Sequence, residues 1–173
     1  MAVLAVGSYE DNTLFLRKVK QHNLPLAFGM RADFDAFPSE LLNEILHEAK
    51  IIFTNECERK IIENLYALDS ITQLFESGKA ELIVTTLGAQ GSIVYEKVAS
   101  GIKEHRVPAV EGKKVVDATG AGDAYIAGFL HGYSKGKPPV VCAQYGGAVS
   151  SFVIEQVGCL TNVPTAEQML ARI

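Results

Sequence analysis

The sequence has no stretch dense in positive charge: 16 Lys and Arg against 20 Asp and Glu leave a net charge of −4, and the basic residues are scattered, as at Arg17, Lys18 and Lys20. Without a basic stripe, nucleic acid is not an expected partner. Cysteine is scarce as well. Cys57, Cys142 and Cys159 form an odd set with no C-x-x-C pair, which implies neither a disulfide framework nor a zinc site, so reduced thiols are expected. The four histidines, His22, His47, His105 and His131, lack ligand spacing. Long apolar runs are missing too. Met1 to Val6 is far too short to span a membrane and lacks the basic flank and longer core of a signal peptide. A soluble, cytoplasmic protein with no membrane partner is the expectation. Two common nucleotide signatures are also absent. No Gly-x-x-x-x-Gly-Lys-Ser/Thr occurs, since Gly136-Lys137 runs into Pro138, and a dinucleotide fingerprint would need a third glycine where Tyr125 stands. No repeat, low-complexity tract or linker interrupts the chain.

What is present is an apolar content of 48% over 173 residues, enough for one well-cored domain. Apolar runs alternate with amphipathic stretches, the pattern of a mostly parallel sheet with helices on both faces. Strands are expected at Val3 to Val6, Pro25 to Met30, Ile51 to Thr54 and Leu82 to Thr85, with hairpin partners at Ser92 to Tyr95 and Lys103 to Val107. Helices are expected at Asp11 to His22, from Pro38-Ser39 through Ala49, at Glu56 to Leu65 and at Ser70 to Ser77. Two long helices, Ala121 to Tyr133 and Pro139 to Glu155, should close the chain. In the first, Ala124, Gly128 and Gly132 recur every fourth residue, and the second offers Ala143, Gly146 and Gly147, so the two backbones can approach closely.

The most informative segment is Val116-Asp117-Ala118-Thr119-Gly120-Ala121-Gly122-Asp123-Ala124-Tyr125. It places an acid just behind two glycines where a helix opens, and the N–H groups there suit an anion. A carboxylate beside such a site is electrostatically awkward unless it takes a proton from an attacking hydroxyl. Phosphoryl transfer is the chemistry that fits. A bare Gly-x-Gly is more often only a permissive helix entry, but a capping Asp would precede its helix, and Asp123 follows both glycines. Asn55-Glu56-Cys57-Glu58 has two readings: Asn-x-x-Glu is the local signature of a capping box, and it can also set an amide and a carboxylate facing phosphates. Thr85-Thr86-Leu87-Gly88-Ala89-Gln90-Gly91 reads as a buried strand ending in a turn that lets backbone approach a ligand, or as a plain hairpin turn.

These three segments, in this order, resemble the signatures of the PfkB (ribokinase-like) family of sugar and nucleoside kinases, and the resemblance runs over nearly the whole chain. It implies a ribokinase-like, three-layer α/β/α fold with a mostly parallel sheet, ATP and Mg²⁺ as cofactors, and a small nucleoside or sugar as acceptor. It makes Asp123 the catalytic base and the amides of Gly120, Ala121, Gly122 and Asp123 an anion hole for the γ-phosphate. Thr86 and Gly88 fall to the nucleotide phosphates and ribose, Gly91 to the shape of the turn, and Gly147 to the adenine. Asn55 and Glu58 fall to Mg²⁺ and phosphate. Some relatives bind a monovalent cation beside the anion hole, and Asp117 and Thr119, with a loop including Gly158 and Cys159, are the matching positions for K⁺.

Members of that family run to about two domains' worth of chain, so residues 1–173 correspond to a C-terminal nucleotide-binding and catalytic portion, with the N-terminal strands and the β-lid absent. Gly122 to Leu130 and Ser151 to Cys159 look most like bacterial and archaeal nucleoside kinases of the adenosine type, which ranks an adenosine-like nucleoside ahead of a furanose or hexose. One departure stands out: relatives often carry an Asp-Pro-Gly-like turn where this chain reads Phe28-Gly29-Met30-Arg31-Ala32-Asp33. The missing strands imply an exposed sheet edge, hence a homodimer or pairing with a separate N-terminal half. The competing expectation is a catalytically silent remnant that keeps a nucleotide site or serves as an assembly module.

Overall fold

The computed structural model describes residues 1–173 and contains one six-stranded sheet in the order β1-β2-β3-β4-β5-β6. The strands are β1 (Ala2–Leu4), β2 (Leu26–Gly29), β3 (Ile51–Asn55), β4 (Leu82–Thr86), β5 (Ser92–Val98) and β6 (Gly101–Val107). Strands β1, β2 and β3 pair in parallel, with Val3 opposite Ala27 and Phe28 opposite Ile52. Parallel pairing extends to β4: Glu81 N–H donates to Lys50 O at 2.8 Å, and the Thr54 hydroxyl lies 3.2 Å from that of Thr85, the same offset at both ends. Only a crossover can join such strands. The connections after β4 are too short for one, so β5 and β6 turn back; Leu87 N–H to Gly91 O at 2.8 Å and Lys97 N–H to Glu81 O at 2.9 Å bracket the first hairpin in a single register.

The chain divides into two compact units, residues 1–85 with 95–104, and residues 86–94 with 105–173. The first holds α1 (Tyr9–Gln21), α2 (Ser39–Glu48), α3 (Glu56–Leu65) and α4 (Leu74–Ser77). Its strands read as continuous apolar runs because they are covered on both faces: every residue of β2 is buried, as are Ile51 to Thr54. Leu41, Leu42, Ile45 and Leu46 form the buried face of α2, and Phe28 meets Phe37 edge-on at 5.5 Å. Asn12, buried in this core, donates through Nδ2 to Gly7 O at 3.2 Å and Ala36 O at 3.0 Å, which satisfies both of its N–H donors. The helix expected over Ser70 to Ser77 is divided. Ser70 caps a short 3₁₀ turn, Ile71–Gln73, and α4 follows directly. At the outer edge of the sheet, Val3 of β1 is 45% exposed.

The second unit holds α5 (Ala121–Ser134), α6 (Pro139–Val153) and α7 (Ala166–Ala171). The glycine spacing has the expected consequence. A Cβ on Gly128 would lie 2.5 Å from Tyr145 O, and one on Gly146 would lie 2.8 Å from Tyr125 O, so α5 and α6 touch backbone to backbone. Helix α7 was not expected. It is capped by Thr165 with Gln168, and it packs on α6 through Met169, which joins Tyr145 and Ala148 in a small core.

Candidate functional site

A cleft of about 430 Å³ opens within the second unit. Thr86, Gly88, Gly91 and Gly147, the four residues assigned to the nucleotide, all line it, and so do Ala121 and Gly122 of the turn that opens α5. One wall is the end of β4 and the turn after it. Gly91 has φ 86°, and a Cβ there would lie 2.0 Å from Val107 O, so no side chain fits at this bend. The opposite wall is α6. Gly146 and Gly147 face different neighbours: a Cβ on Gly146 would lie 2.8 Å from Tyr125 O of α5, and one on Gly147 would lie 3.1 Å from the Val110 side chain, with Gly147 and Val110 both lining the cleft. The floor is made by Tyr125, whose hydroxyl donates to Ser92 Oγ at 2.8 Å; burial pushes the Tyr125 phenol above its usual range.

The turn at the start of α5 is held from three sides. Gly120 occupies the left-handed region at φ 78°, and a Cβ there would sit 2.4 Å from Cys159 Cβ. Asp117 Oδ1 accepts from Thr119 N–H at 2.9 Å while its Oδ2 accepts from Gly158 N–H at 3.0 Å, tying the loop at 158–159 to the turn. These donors, Gly158 first, hold the Asp117 carboxyl below its ordinary range. From α6, Ser150 Oγ donates to Ala121 O at 3.0 Å. The expected grouping of Asp117 and Thr119 with the Gly158–Cys159 loop is therefore present as geometry.

The first-turn amides are not equivalent. Ala121 N–H donates to Ala118 O at 3.2 Å and Ala124 N–H to Gly120 O at 2.9 Å, so the Ala121 amide, counted in the anion hole by the sequence, is taken up within the turn itself. Gly122 is exposed, and an added Cβ there would meet nothing within 4 Å. Asp123 is exposed on the third residue of the helix, beside the positive end of the dipole.

Asn55 and Glu58 belong to the first unit. There they form a complete capping box: Glu58 N–H donates to Asn55 Oδ1 at 2.9 Å, and Asn55 N–H donates to Glu58 Oε2 at 2.8 Å. Burial raises the Glu58 carboxyl, opposed by the Asn55 N–H and by the nearby Arg31 charge. No cluster of three or more His, Cys, Asp or Glu side chains is positioned to share a metal ion. No helix is long and apolar enough to cross a membrane.

Several groups at the cleft carry no sequence signal. Val110 and Lys113 lie on the stretch after β6, which has no regular secondary structure, and Lys113 is the one charged residue lining the cleft. Ser150 sits in α6 with nothing in its local pattern to single it out.

A profile described as "pfkB family carbohydrate kinase" matches residues 3–166. A nucleoside kinase of Methanocaldococcus jannaschii is 34% identical over 98% of this chain and 54% of its own length. The crystal structure of a nucleoside kinase from that organism, described as an archaeal member of the ribokinase family, superposes with a TM-score of 0.85 over 98% of this chain and 54% of its own. A cytidine kinase of Thermococcus kodakarensis is 34% identical over 69% of this chain and 42% of its own length. At 22% identity, the Burkholderia thailandensis nucleoside kinase in complex with inosine shares the fold, with a TM-score of 0.86 over 99% of this chain and 54% of its own. The fold is thus the ribokinase-like α/β class that the motifs implied, and the chain spans about half the length of the relatives it matches.

Proposed function

The chain belongs to the pfkB family of carbohydrate kinases, and we propose that it is the nucleotide-binding and catalytic portion of an ATP-dependent kinase that phosphorylates a hydroxymethyl group. The observation that carries this reading is the single cleft lined by Thr86, Gly88, Gly91, Gly147, Ala121 and Gly122. Residues from three separate stretches of sequence converge there, and the one charge among the lining side chains, Lys113, has the sign that suits a polyphosphate.

In the proposed reaction the γ-phosphoryl group of ATP lies at the opening of α5, where the Gly122 amide and the helix dipole stabilise its oxygens. Asp123 accepts the proton of the acceptor hydroxyl as the new O–P bond forms and the bond to the ADP oxygen breaks. Asp117 acts by holding the Gly158 loop against the turn, and a K⁺ ion near Asp117 and Thr119 would add positive charge beside it. For Mg²⁺, Glu58 is the candidate carboxylate, with Asn55 as its companion. Its Oε2 is engaged in the cap, so it would act as at most one ligand of an ion that keeps several waters and is held mostly by nucleotide phosphates. Bound there, Mg²⁺ would neutralise phosphate charge.

The acceptor is assigned to a nucleoside, adenosine-like first, with a sugar second. Support comes from the nucleoside and cytidine kinases among the relatives. The exposed edge at Val3 supports pairing with a second copy or with a separate N-terminal half. Calorimetric titration with Mg-ATP and a phosphotransfer assay over nucleosides and sugars test the reading. Transfer should fall at least about 10³-fold in Asp123→Asn with ATP affinity retained. Transfer unchanged in that variant overturns the base assignment, and ATP binding with no transfer in the wild-type chain favours the silent module.

A further inference from the structure

The C-terminal helix reaches the cleft through one ion pair. Arg172, just past α7, donates through one guanidinium nitrogen to Glu155 Oε1 at 2.7 Å and to Ser151 Oγ at 3.2 Å. Its other terminal nitrogen lies 3.4 Å from Glu155 Oε2, and its guanidinium stacks 3.2 Å from the centroid of the Phe152 ring. The two side chains are only 16% and 9% exposed. Glu155 in turn accepts from Lys113 N–H at 2.8 Å through the same Oε1, and Asn162 Nδ2 lies 3.4 Å from Oε2. A Cβ on Gly112 would stand 3.1 Å from both Glu155 Oε1 and Ser151 O, so the chain passes close to the carboxylate.

This arrangement has no counterpart in the proposed reaction. The pair touches no lining position of the catalytic turn, yet Gly112 and Lys113 line the cleft, and they belong to a stretch with no helix or strand to hold it. Its backbone is bonded instead to the end of α6 and the residues just past it: Lys113 N–H to the Glu155 carboxylate, 42 residues away in sequence, and Val116 N–H to Ile154 O at 2.8 Å. That carboxylate keeps its orientation because Arg172 engages it in a charge-assisted fork, a geometry lysine cannot reproduce.

We propose that Arg172 and Glu155 are positioning residues that clamp the Gly112–Lys113 wall and so set the nucleotide affinity of the cleft. The clamp rests on the nucleotide reading of the cleft for its purpose but not for its existence. Arg172→Ala would leave the Glu155 charge nearly buried without its partner, Arg172→Lys would keep the charge but lose the fork and the stacking, and Leu170→Ala changes an exposed residue of the same helix, 54% accessible, as a control.

Hydrogen exchange read by mass spectrometry and Mg-ATP titration by calorimetry test the proposal together. Exchange over residues 108–116 should speed up about tenfold in Arg172→Ala, with the α5 amides around Phe129 unchanged. Mg-ATP affinity should fall at least about fivefold, Arg172→Lys should restore only part of either effect, and Leu170→Ala should match the wild type. Unchanged exchange at 108–116 in Arg172→Ala overturns the clamp. Faster exchange with unchanged ATP affinity overturns its role in the cleft. A wild-type chain that binds no ATP, with the exchange difference intact, overturns the nucleotide reading and leaves the clamp standing.

Discussion

Two glycines six residues apart in α5 should respond to the same substitution with opposite signs. At Gly128 a new methyl group would stand 2.5 Å from Tyr145 O and 2.9 Å from Gly146 Cα, both backbone atoms of α6. Ordinary contact begins near 3.4 Å, so the two helices must separate by about 1 Å along their closest line. Overpacking of this kind costs roughly 1–3 kcal/mol, and the upper half applies because backbone cannot rotate aside as a side chain does. Replacing a mid-helix glycine recovers about 1 kcal/mol of propensity. The net expectation for Gly128→Ala is a loss of roughly 1–2 kcal/mol, or about 2–8 °C in melting temperature for a chain of this size. At Gly122, on the second residue of the helix, nothing lies within 4 Å of the added carbon and φ is not positive. Gly122→Ala should therefore raise stability by a few tenths of a kcal/mol to about 1 kcal/mol. The same methyl group projects at the anion turn of the cleft, so Mg-ATP affinity should drop while the fold gains. Thermal melts followed by circular dichroism, with calorimetric titration of both variants, read the two signs. A Gly128→Ala midpoint equal to or above wild type would refute the packing argument.

Two other outcomes follow from single groups. Cys142 is fully buried, donates to Lys137 O at 3.3 Å, and has its thiol pushed up to about 11 by burial, whereas Cys57 and Cys159 are exposed. A thiol reagent at pH 8 should titrate two groups in the native chain and a third only in denaturant; three fast groups would mean that α6 does not pack as described. Asp117 has its carboxyl lowered on folding by Gly158 N–H first and Thr119 second. Below the ordinary carboxylate value the unfolded chain takes up the proton first, so this contribution is present above about pH 4 and is lost as pH falls through the lower folded value. Asp117→Asn should flatten the acid limb of a stability-versus-pH curve, and an unchanged limb would remove Asp117 from the account of that loop.

What the sequence made legible is what is locally encoded. The strands of the first unit announce themselves as short apolar runs because both faces are covered, and the four cleft residues Thr86, Gly88, Gly91 and Gly147 sit in turns or glycine pairs whose backbone needs are local. Helix α7 carried a readable signal, Thr165 with Gln168 as a capping box, but six residues with one buried side chain give no periodicity to confirm it. The wall at Gly112–Lys113 carried none, since the group that holds it lies in another element. The bond from Ala121 N–H to Ala118 O was not legible for a related reason: the turn lies against Cys159 and is tied through Asp117 to Gly158, both on a distant loop.

Gly146 and Gly147 show how geometry gives two small residues in series different neighbours. Both readings, helix packing and contact with a ligand, were compatible with two small residues in series. Successive residues on a helix point about 100° apart, so a helix packed on one neighbour cannot present both to it. Once Gly146 is committed to Tyr125 O, which a Cβ would approach to 2.8 Å, Gly147 must face elsewhere, and it packs against Val110, which a Cβ would approach to 3.1 Å and which lines the cleft with it. The close approach of α5 and α6 therefore also fixes which glycine lines the cleft. The same register brings Ser150 to Ala121 O one turn further on, at the anion turn. A shift of α6 along α5 would move packing, cleft wall and turn support together, which couples the stability of this helix pair to the geometry of the proposed phosphate site.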